Sequence, residues 1–319
     1  MIVKGYKWVK KGLIYKPTNE QVWWKNHAMA PAPILYDEQT IRVYIGAWDV
    51  NGISRITYID VSKDNPSQVK KIADSYVLDI GEDGCFDDNG VFPAHAYKHP
   101  DGRVFLYYTG FQKLYKIPFS NFSGLAISYD NGNTFKRVSK APVMDRADEG
   151  LYTRAGTSVI FEDGIFKSCY SVGSGWYNIA GKDRPVYEVN YIESSNGIDF
   201  PKTGKTIVKV DLNKEHGLGR PQIVKLLGKT MVFYTRRTLD FKYFIGCAIK
   251  KGDVWVRYDD WLETIKHGLP GEFDNQMVYF PAVIDTGNKI FLFYVGNGYG
   301  NDGFGYAELV KENDLIKQE

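Results

Sequence analysis

A motif that returns about every sixty residues constrains this chain more than any other feature. It consists of a short apolar strand, a turn usually carrying Gly, and a second strand rich in aromatic residues. The clearest copy spans residues 280–296, and others span 32–46, 92–110, 157–173 and 220–236. Their anchors, Pro33, Pro93, Ser158, Pro221 and Pro281, lie 60, 65, 63 and 60 residues apart. Each copy is followed by a further strand-like run, and the middle three runs end in tight turns at Asn131-Gly132, Asn196-Gly197 and Lys251-Gly252. Repeated units of three to four antiparallel strands predict an all-β, five-bladed β-propeller. A β-sandwich with coincidental spacing is the alternative. The repeat fills nearly all of residues 1–319, so a single domain is expected, with blades starting near residues 27, 88, 154, 220 and 276.

The last unit ends near Leu309 without an outer strand of its own, while the first fifteen residues alternate basic and apolar positions. A ring has to hide its strand edges. The N-terminal segment is therefore expected to pair into the last blade and close it, and the polar tail after Lys311 to be loose.

Composition excludes several function classes. A net charge of +2 does not suit a protein driven by phosphate neutralisation, so nucleic acid is not an expected partner. No run of ~18 apolar residues is present, which argues against a membrane-spanning helix. The N-terminus has no apolar core or cleavage site of a signal peptide. Cys85, Cys169 and Cys247 are odd in number and scattered, as expected of reduced thiols in a cytoplasmic protein. No metal-spaced ligand set and no cofactor motif stand out.

Candidate functional residues cluster at the ends of the repeat's strands. Trp48 and Asp49, Arg236 and Arg237, and Asn297 follow corresponding second strands and are expected at one end of the ring. His27 and the pair Trp23-Trp24 lead into the first unit, where the tryptophans suit either sugar stacking or packing between blades. Asp87, Asp88 and His95 open the second, Glu149 and Arg154 the third, Arg220 the fourth and Asp274 the fifth. The long loop at 173–185 carries Trp176 and Tyr177. Basic groups outnumber acids in this set. Several buried arginines facing no carboxylate would require an anionic ligand, because guanidinium matches phosphate or carboxylate bidentately. The competing explanation is that these arginines pair with the acids across blades.

With prolines at the strand starts and second strands such as Phe105-Leu-Tyr-Tyr-Thr-Gly110 and Phe291-Leu-Phe-Tyr-Val-Gly296, the chain resembles the five-bladed glycosidases. These include the arabinanase/β-xylosidase, invertase/levansucrase and β-mannoside phosphorylase types. It also resembles propellers of bacterial surface-polysaccharide gene clusters through Phe86-Asp-Asp-Asn-Gly-Val91, Arg220-Pro221 and Asp274-Asn-Gln-Met277. Residues 128–135 have the spacing of an Asp-box, a structural hairpin of sialidases and other propellers. The resemblance implies a carbohydrate-active enzyme that cleaves or transfers a glycosyl group between carboxyls at the mouth of the ring. Asp88 is the expected acid/base and Glu149 or Asp274 its partner, with Arg154 and Arg220 as anion clamps. Ala32 stands where the arabinanase type places an aspartate, so that type's set of carboxylates does not transfer. The expected substrate is a sugar phosphate, nucleotide sugar or acidic sugar. A non-catalytic glycan-binding propeller is the first alternative, and a sialidase-like hydrolase, whose ring normally has six blades, the second.

Overall fold

In a computed structural model, which describes residues 5–18 and 21–315, the chain is almost entirely β. The outermost parts of both terminal segments, residues 1–4 and 316–319, lie outside the described residues. Strand β1 (Tyr6–Tyr15) comes first. Then β2 (Asn26–Asp37), β3 (Thr40–Trp48), β4 (Ser54–Ser62) and β5 (Val69–Ile72) pair antiparallel in order. The same meander recurs in β6 (Val91–Lys98), β7 (Val104–Lys113), β8 (Phe119–Ser128) and β9 (Lys136–Arg137). It recurs again in β10 (Thr153–Glu162), β11 (Ile165–Ile179), β12 (Lys182–Ser194) and β13 (Lys205–Val208). Next come β14 (Glu215–Leu226), β15 (Lys229–Thr238), β16 (Tyr243–Lys251) and β17 (Val254–Arg257). The last run, β18 (Tyr279–Asp285), β19 (Ile290–Val295) and β20 (Phe304–Lys311), has no following strand of its own among the described residues. Strand β1 supplies it, pairing antiparallel with β20 from Tyr6↔Lys311 to Tyr15↔Phe304. An edge that would otherwise be open is thereby covered.

The hydrogen-bonded sheets do not themselves close. Their first strands nevertheless touch in a cycle, β2 to β6, β6 to β10, β10 to β14, β14 to β18 and β18 back to β2. Every first strand breaks register near its start: at Ala30-Pro31, Ala94, Gly156-Thr157, Arg220-Pro221 and Phe280-Pro281. Proline has no N–H to orphan, so a bulge tolerates it where a regular ladder does not. This revises two anchors: the first unit's counterpart of Pro221 and Pro281 is Pro31, two residues before Pro33, and the third's is Thr157 rather than Ser158. Ala30, Arg220 and Phe280, with φ of 56, 43 and 55°, take the left-handed conformation there. Such a backbone costs about 1–3 kcal/mol per residue and persists only where surroundings fix it.

The outer parts of the runs are held by a repeated polar device. A buried tyrosine of each second strand donates its hydroxyl to an acceptor in a following or preceding loop. Tyr108 reaches Asp87 (3.1 Å), Tyr170 Glu149 (2.5 Å), Tyr234 Asp259 (2.8 Å), Tyr294 Asp274 (2.8 Å) and Tyr44 the Gly132 carbonyl (2.8 Å). A cation completes each of the four carboxylates: Arg137 on Asp87, Arg154 on Glu149, Arg257 on Asp259 and Lys10 on Asp274. The Asp-box supplies the fifth acceptor. Asp130 and Ser128 shape its turn, and Gly132 and Asn133 receive Tyr44 and Arg42 of the neighbouring run. Cys169 and Cys247 are free and buried, and burial pushes both thiols well above their ordinary pKa.

Candidate ligand cavity

Where the first strands converge, two adjoining cavities of about 320 and 50 Å3 share Phe92, Asn121, Tyr187, Arg237 and Phe280 in their walls. The larger adds Met29, Trp48, Asn89, Phe111, Phe119 and Tyr299, and the smaller adds Arg220. Among the described residues no carboxylate lines either one.

Arg220 closes the floor. Its bulge turns the side chain across the axis, and all five guanidinium N–H groups meet main-chain carbonyls. Nε donates to Pro93 (3.4 Å), Nη1 to Phe280 and Pro281 (both 3.2 Å), and Nη2 to Ala30 (3.0 Å) and Pro31 (2.5 Å). The bulges of three other first strands thus present their carbonyls to one cation. Burial without a carboxylate lowers the Arg220 pKa to about 9, which leaves it charged at neutral pH. Its charge and, more strongly, burial lower that of neighbouring His95 to about 3. His95 Nδ1 accepts the Val159 N–H at 3.2 Å, as a neutral imidazole does.

Arg237 forms one wall. It packs against Gly217 and Gly219 of the paired strand, where an added Cβ would stand in ordinary contact, 3.6 Å from its Cδ and Nη2. Its guanidinium carbon lies 4.9 Å from the Tyr187 ring centre and 5.6 Å from that of Tyr243. No carboxylate pairs with it among the described residues, and its buried Nε has no hydrogen-bond partner. Burial opposes the charge, but the tyrosines around it (Tyr243, Tyr187, Tyr299 and Tyr279) outweigh burial and raise the pKa. The opposite wall is aromatic. Trp48 stacks on His27 at 3.9 Å and 18° and donates its indole N–H to Met29 Sδ. Burial pulls the half-buried His27 down to about 4, so it is neutral at physiological pH.

The sequence candidates therefore separate. Trp48, Arg220 and Arg237 line the cavities, with His27 behind Trp48 and His95 beside Arg220. Asp88 adjoins the wall residues Asn89 and Gly90; its Oδ2 accepts the Gly84 N–H, while its buried Oδ1 has no partner. Glu149 accepts Arg154, Tyr170, Asn190 and the Gly204 N–H, and Asp274 accepts Lys10 and Tyr294. The Arg154 guanidinium donates to Glu149 and to the Asp145 and Pro201 carbonyls. Arg236 pairs with Glu215 and Asp259, and Asp49 with Arg55. Asn297 accepts the Gln276 and Met277 N–H groups, and Trp176 stacks on Tyr152. Trp24, buried, donates to the His27 carbonyl and packs on Tyr15. Sequence reading missed the wall residues Asn89, Phe111, Phe119, Asn121, Tyr187 and Tyr299. Phe111 and Phe119 flank the turn after the second strand, a place that composition alone does not mark. No group of three or more His, Cys, Asp or Glu able to hold a metal occurs among the described residues.

No family profile matches this chain. Uncharacterized protein Rv1502 of Mycobacterium tuberculosis H37Rv is 28% identical over 305 residues, covering 95% of this chain and 99% of that protein. Uncharacterized protein MT1551 of strain CDC 1551 matches at the same identity and coverage. Among solved structures, a glycosyl hydrolase from Bacteroides ovatus superposes with a TM-score of 0.71 at 15% identity, covering 97% of this chain and 94% of that one. A structure from work on the GH130 family of mannoside phosphorylases gives 0.65 at 14% identity, covering 96% and 90%. A thermostable family-43 glycoside hydrolase gives 0.60 at 16% identity, covering 91% and 90%. The fold is that of glycoside-hydrolase-type propellers.

Proposed function

We propose that this protein is a single-domain, five-bladed propeller whose central cavity binds an anionic saccharide in bacterial surface-polysaccharide metabolism, in the cytoplasm. The observation that carries the reading is Arg237: an enclosed guanidinium with no carboxylate partner, facing an aromatic cavity. A half-buried cation whose Nε is shut off from water without a partner is left undercompensated until a ligand meets it. Trp48, Phe92, Phe111 and Phe119 offer faces on which sugar C–H groups pack. In this reading Glu149, Asp274, Arg154 and Arg236 hold blades together rather than touch substrate.

Chemistry at the site falls to Asp88, the nominated carboxylate that keeps a free buried oxygen. Two-carboxylate hydrolysis needs a second such group. We therefore assign glycosyl transfer to or from phosphate: a phosphate oxygen held by Arg237 attacks the anomeric carbon, and Asp88, which lies behind the wall residues Asn89 and Gly90 and would have to be uncovered by substrate, protonates the departing glycosidic oxygen. Binding without turnover is the second reading, favoured by the engagement of Asp87, Glu149 and Asp274 in ion pairs.

A thermal-shift screen of hexose phosphates, uronic acids and neutral oligosaccharides tests the binding claim. At a hundred times its dissociation constant a ligand adds ~2.7 kcal/mol of stability. Stabilisation by neutral sugars alone would overturn the anionic reading. With a phosphorylated donor, Asp88→Asn is expected to cut turnover by about a hundredfold or more with folding intact. Unchanged turnover would remove Asp88 from the mechanism.

A further inference from the structure

The smaller of the two cavities gathers polar atoms that the protein leaves unmet. Among the described residues, nine buried side-chain N or O atoms have no hydrogen-bond partner, and three of them belong to walls of this space of about 50 Å3. They are Asn121 Oδ1, Thr153 Oγ1 and Arg237 Nε. The strand pairing brings them together. Asn121 of β8 and Thr153 of β10 are direct partners across the parallel contact between the second and third runs. Tyr187, Gly217 and Arg237 form the matching row at the next contact, across β12, β14 and β15. Burial raises the pKa of Tyr187, and Arg237 and Thr153 act against burial from close by, although neither Thr153 Oγ1 nor Arg237 Nε forms a hydrogen bond. Thr153 itself is only 2% exposed. Buried polar atoms are nearly always paired, so three at one cavity call for a partner from outside the chain.

Size and polarity define that partner. A water needs about 10–15 Å3 of such space, so this recess takes a group of several atoms. A sugar ring has its room in the adjoining cavity of about 320 Å3. Arg237 Nε only donates, Asn121 Oδ1 only accepts, and the Thr153 hydroxyl does either. An ionised phosphate or carboxylate only accepts, and in the recess would set its charge against Asn121 Oδ1. A hydroxyl leaves the apolar wall of Phe92, Ala155 and Phe280 uncovered. An acetamido group meets every requirement: its N–H serves Asn121, its carbonyl serves Arg237 and Thr153, and its methyl covers the apolar wall.

Building on the reading of the cavity as an anionic-saccharide site, we propose that the inner recess seats the acetamido group of an N-acetylated amino sugar. Arg237 then serves two parts of one substrate. Its Nε meets the acetamido carbonyl, and its terminal nitrogens meet the anion in the larger cavity.

Calorimetric titration of the full chain separates the two levels of the argument. The ligands are the 1-phosphates of N-acetylglucosamine, N-acetylgalactosamine and N-acetylmannosamine, each against its parent hexose 1-phosphate. At least one acetylated ligand is expected to bind about tenfold or more tightly than its parent, from added hydrogen bonds and a buried methyl. Thr153 lines the inner cavity and not the larger one, so Thr153→Val is expected to weaken that ligand about three- to tenfold and its parent less than about twofold. Thr153→Ser keeps the hydroxyl and is expected to retain the preference, whereas Asn121→Leu reduces it. No preference for any acetylated ligand, or a preference that Thr153→Val and Asn121→Leu leave intact, overturns the acetamido seat while the anion site stands. If Arg237→Gln leaves the parent hexose 1-phosphates unchanged, the anionic reading beneath it falls.

Discussion

Arg220 and Arg237 line the same space at the centre of the ring, the first buried and the second half-buried, and they are solved in opposite ways. Arg220 spends all five N–H groups on carbonyls exposed by the bulges of β2, β6 and β18. Arg237 is surrounded by tyrosine rings and keeps a buried Nε unpartnered. A saturated cation can fasten strands but has no donor left for a ligand. An unsaturated one contributes little to the fold and retains the capacity to bind. The comparison teaches that burial and charge do not distinguish a structural arginine from a ligand-binding one; the count of satisfied donors does.

The largest effect that could break this comparison is on stability. Arg220→Met leaves five carbonyls at the axis without their donor and is expected to cost several kcal/mol, since each buried acceptor left unsatisfied costs roughly 1–3 kcal/mol. Arg237→Met removes a charge with no ion-pair partner and is expected to be neutral or stabilising. Chemical denaturation of both variants checks the pair. Equal losses would erase the distinction.

A smaller effect sharpens the contrast between the wedges and the cavity. Tyr294→Phe removes the donor to Asp274 but leaves Lys10 in place, and should cost about 1–2 kcal/mol because a buried carboxylate loses one hydrogen bond. Tyr299→Phe, on the cavity wall, loses only its bond to Tyr243. It should cost less than Tyr294→Phe in the same denaturation assay, and the reverse ranking would contradict the assignment of the tyrosine–carboxylate locks to the fold.

The smallest expected effect is on pH dependence. His27 and His95 are held neutral, at about 4 and 3, by burial, and His216 is lowered the same way. An unfolded histidine titrates near ~6.5. The folded state thus binds fewer protons between those values, and its stability is complete above ~6.5 and declines as pH falls toward 4. His27→Phe, which retains a ring against Trp48, should show a shallower decline in melting temperature between pH 7 and 5. An identical decline would mean that His27 does not stay neutral.

Much of the fold is legible in the chain itself. The proline-anchored pairs of strands, the Asn-Gly turns and the missing last strand all point to repeated meanders with an N-terminal strand filling the gap, and β1 pairs with β20 as that argument expects. The displaced anchor at Pro33 shows the limit. Because side chains alternate with a period of two, a shift from Pro31 to Pro33 preserves the apolar pattern, and only the bulge reveals the true counterpart. The site is less legible. Trp48 and Arg237 stand out because they follow second strands whose ends share one rim. Glu149 and Asp274 look like free acids in the sequence, since the tyrosines that engage them, Tyr170 and Tyr294, are separated from them by 21 and 20 residues. Tyr187 and Tyr299 carry no motif at all. They reach the cavity through a third strand and a loop whose φ values at Gly298 and Tyr299 are both left-handed, near 60°.

The most direct test of the central claim is calorimetric titration of one hexose 1-phosphate, and of the same hexose without phosphate, into the wild type and Arg237→Gln. The account predicts that the phosphate improves wild-type affinity by about tenfold or more, as a charge-assisted contact should, and that the variant loses this preference while still binding the neutral hexose weakly. Equal affinity of the wild type for both sugars, or a preference that survives in the variant, would contradict it.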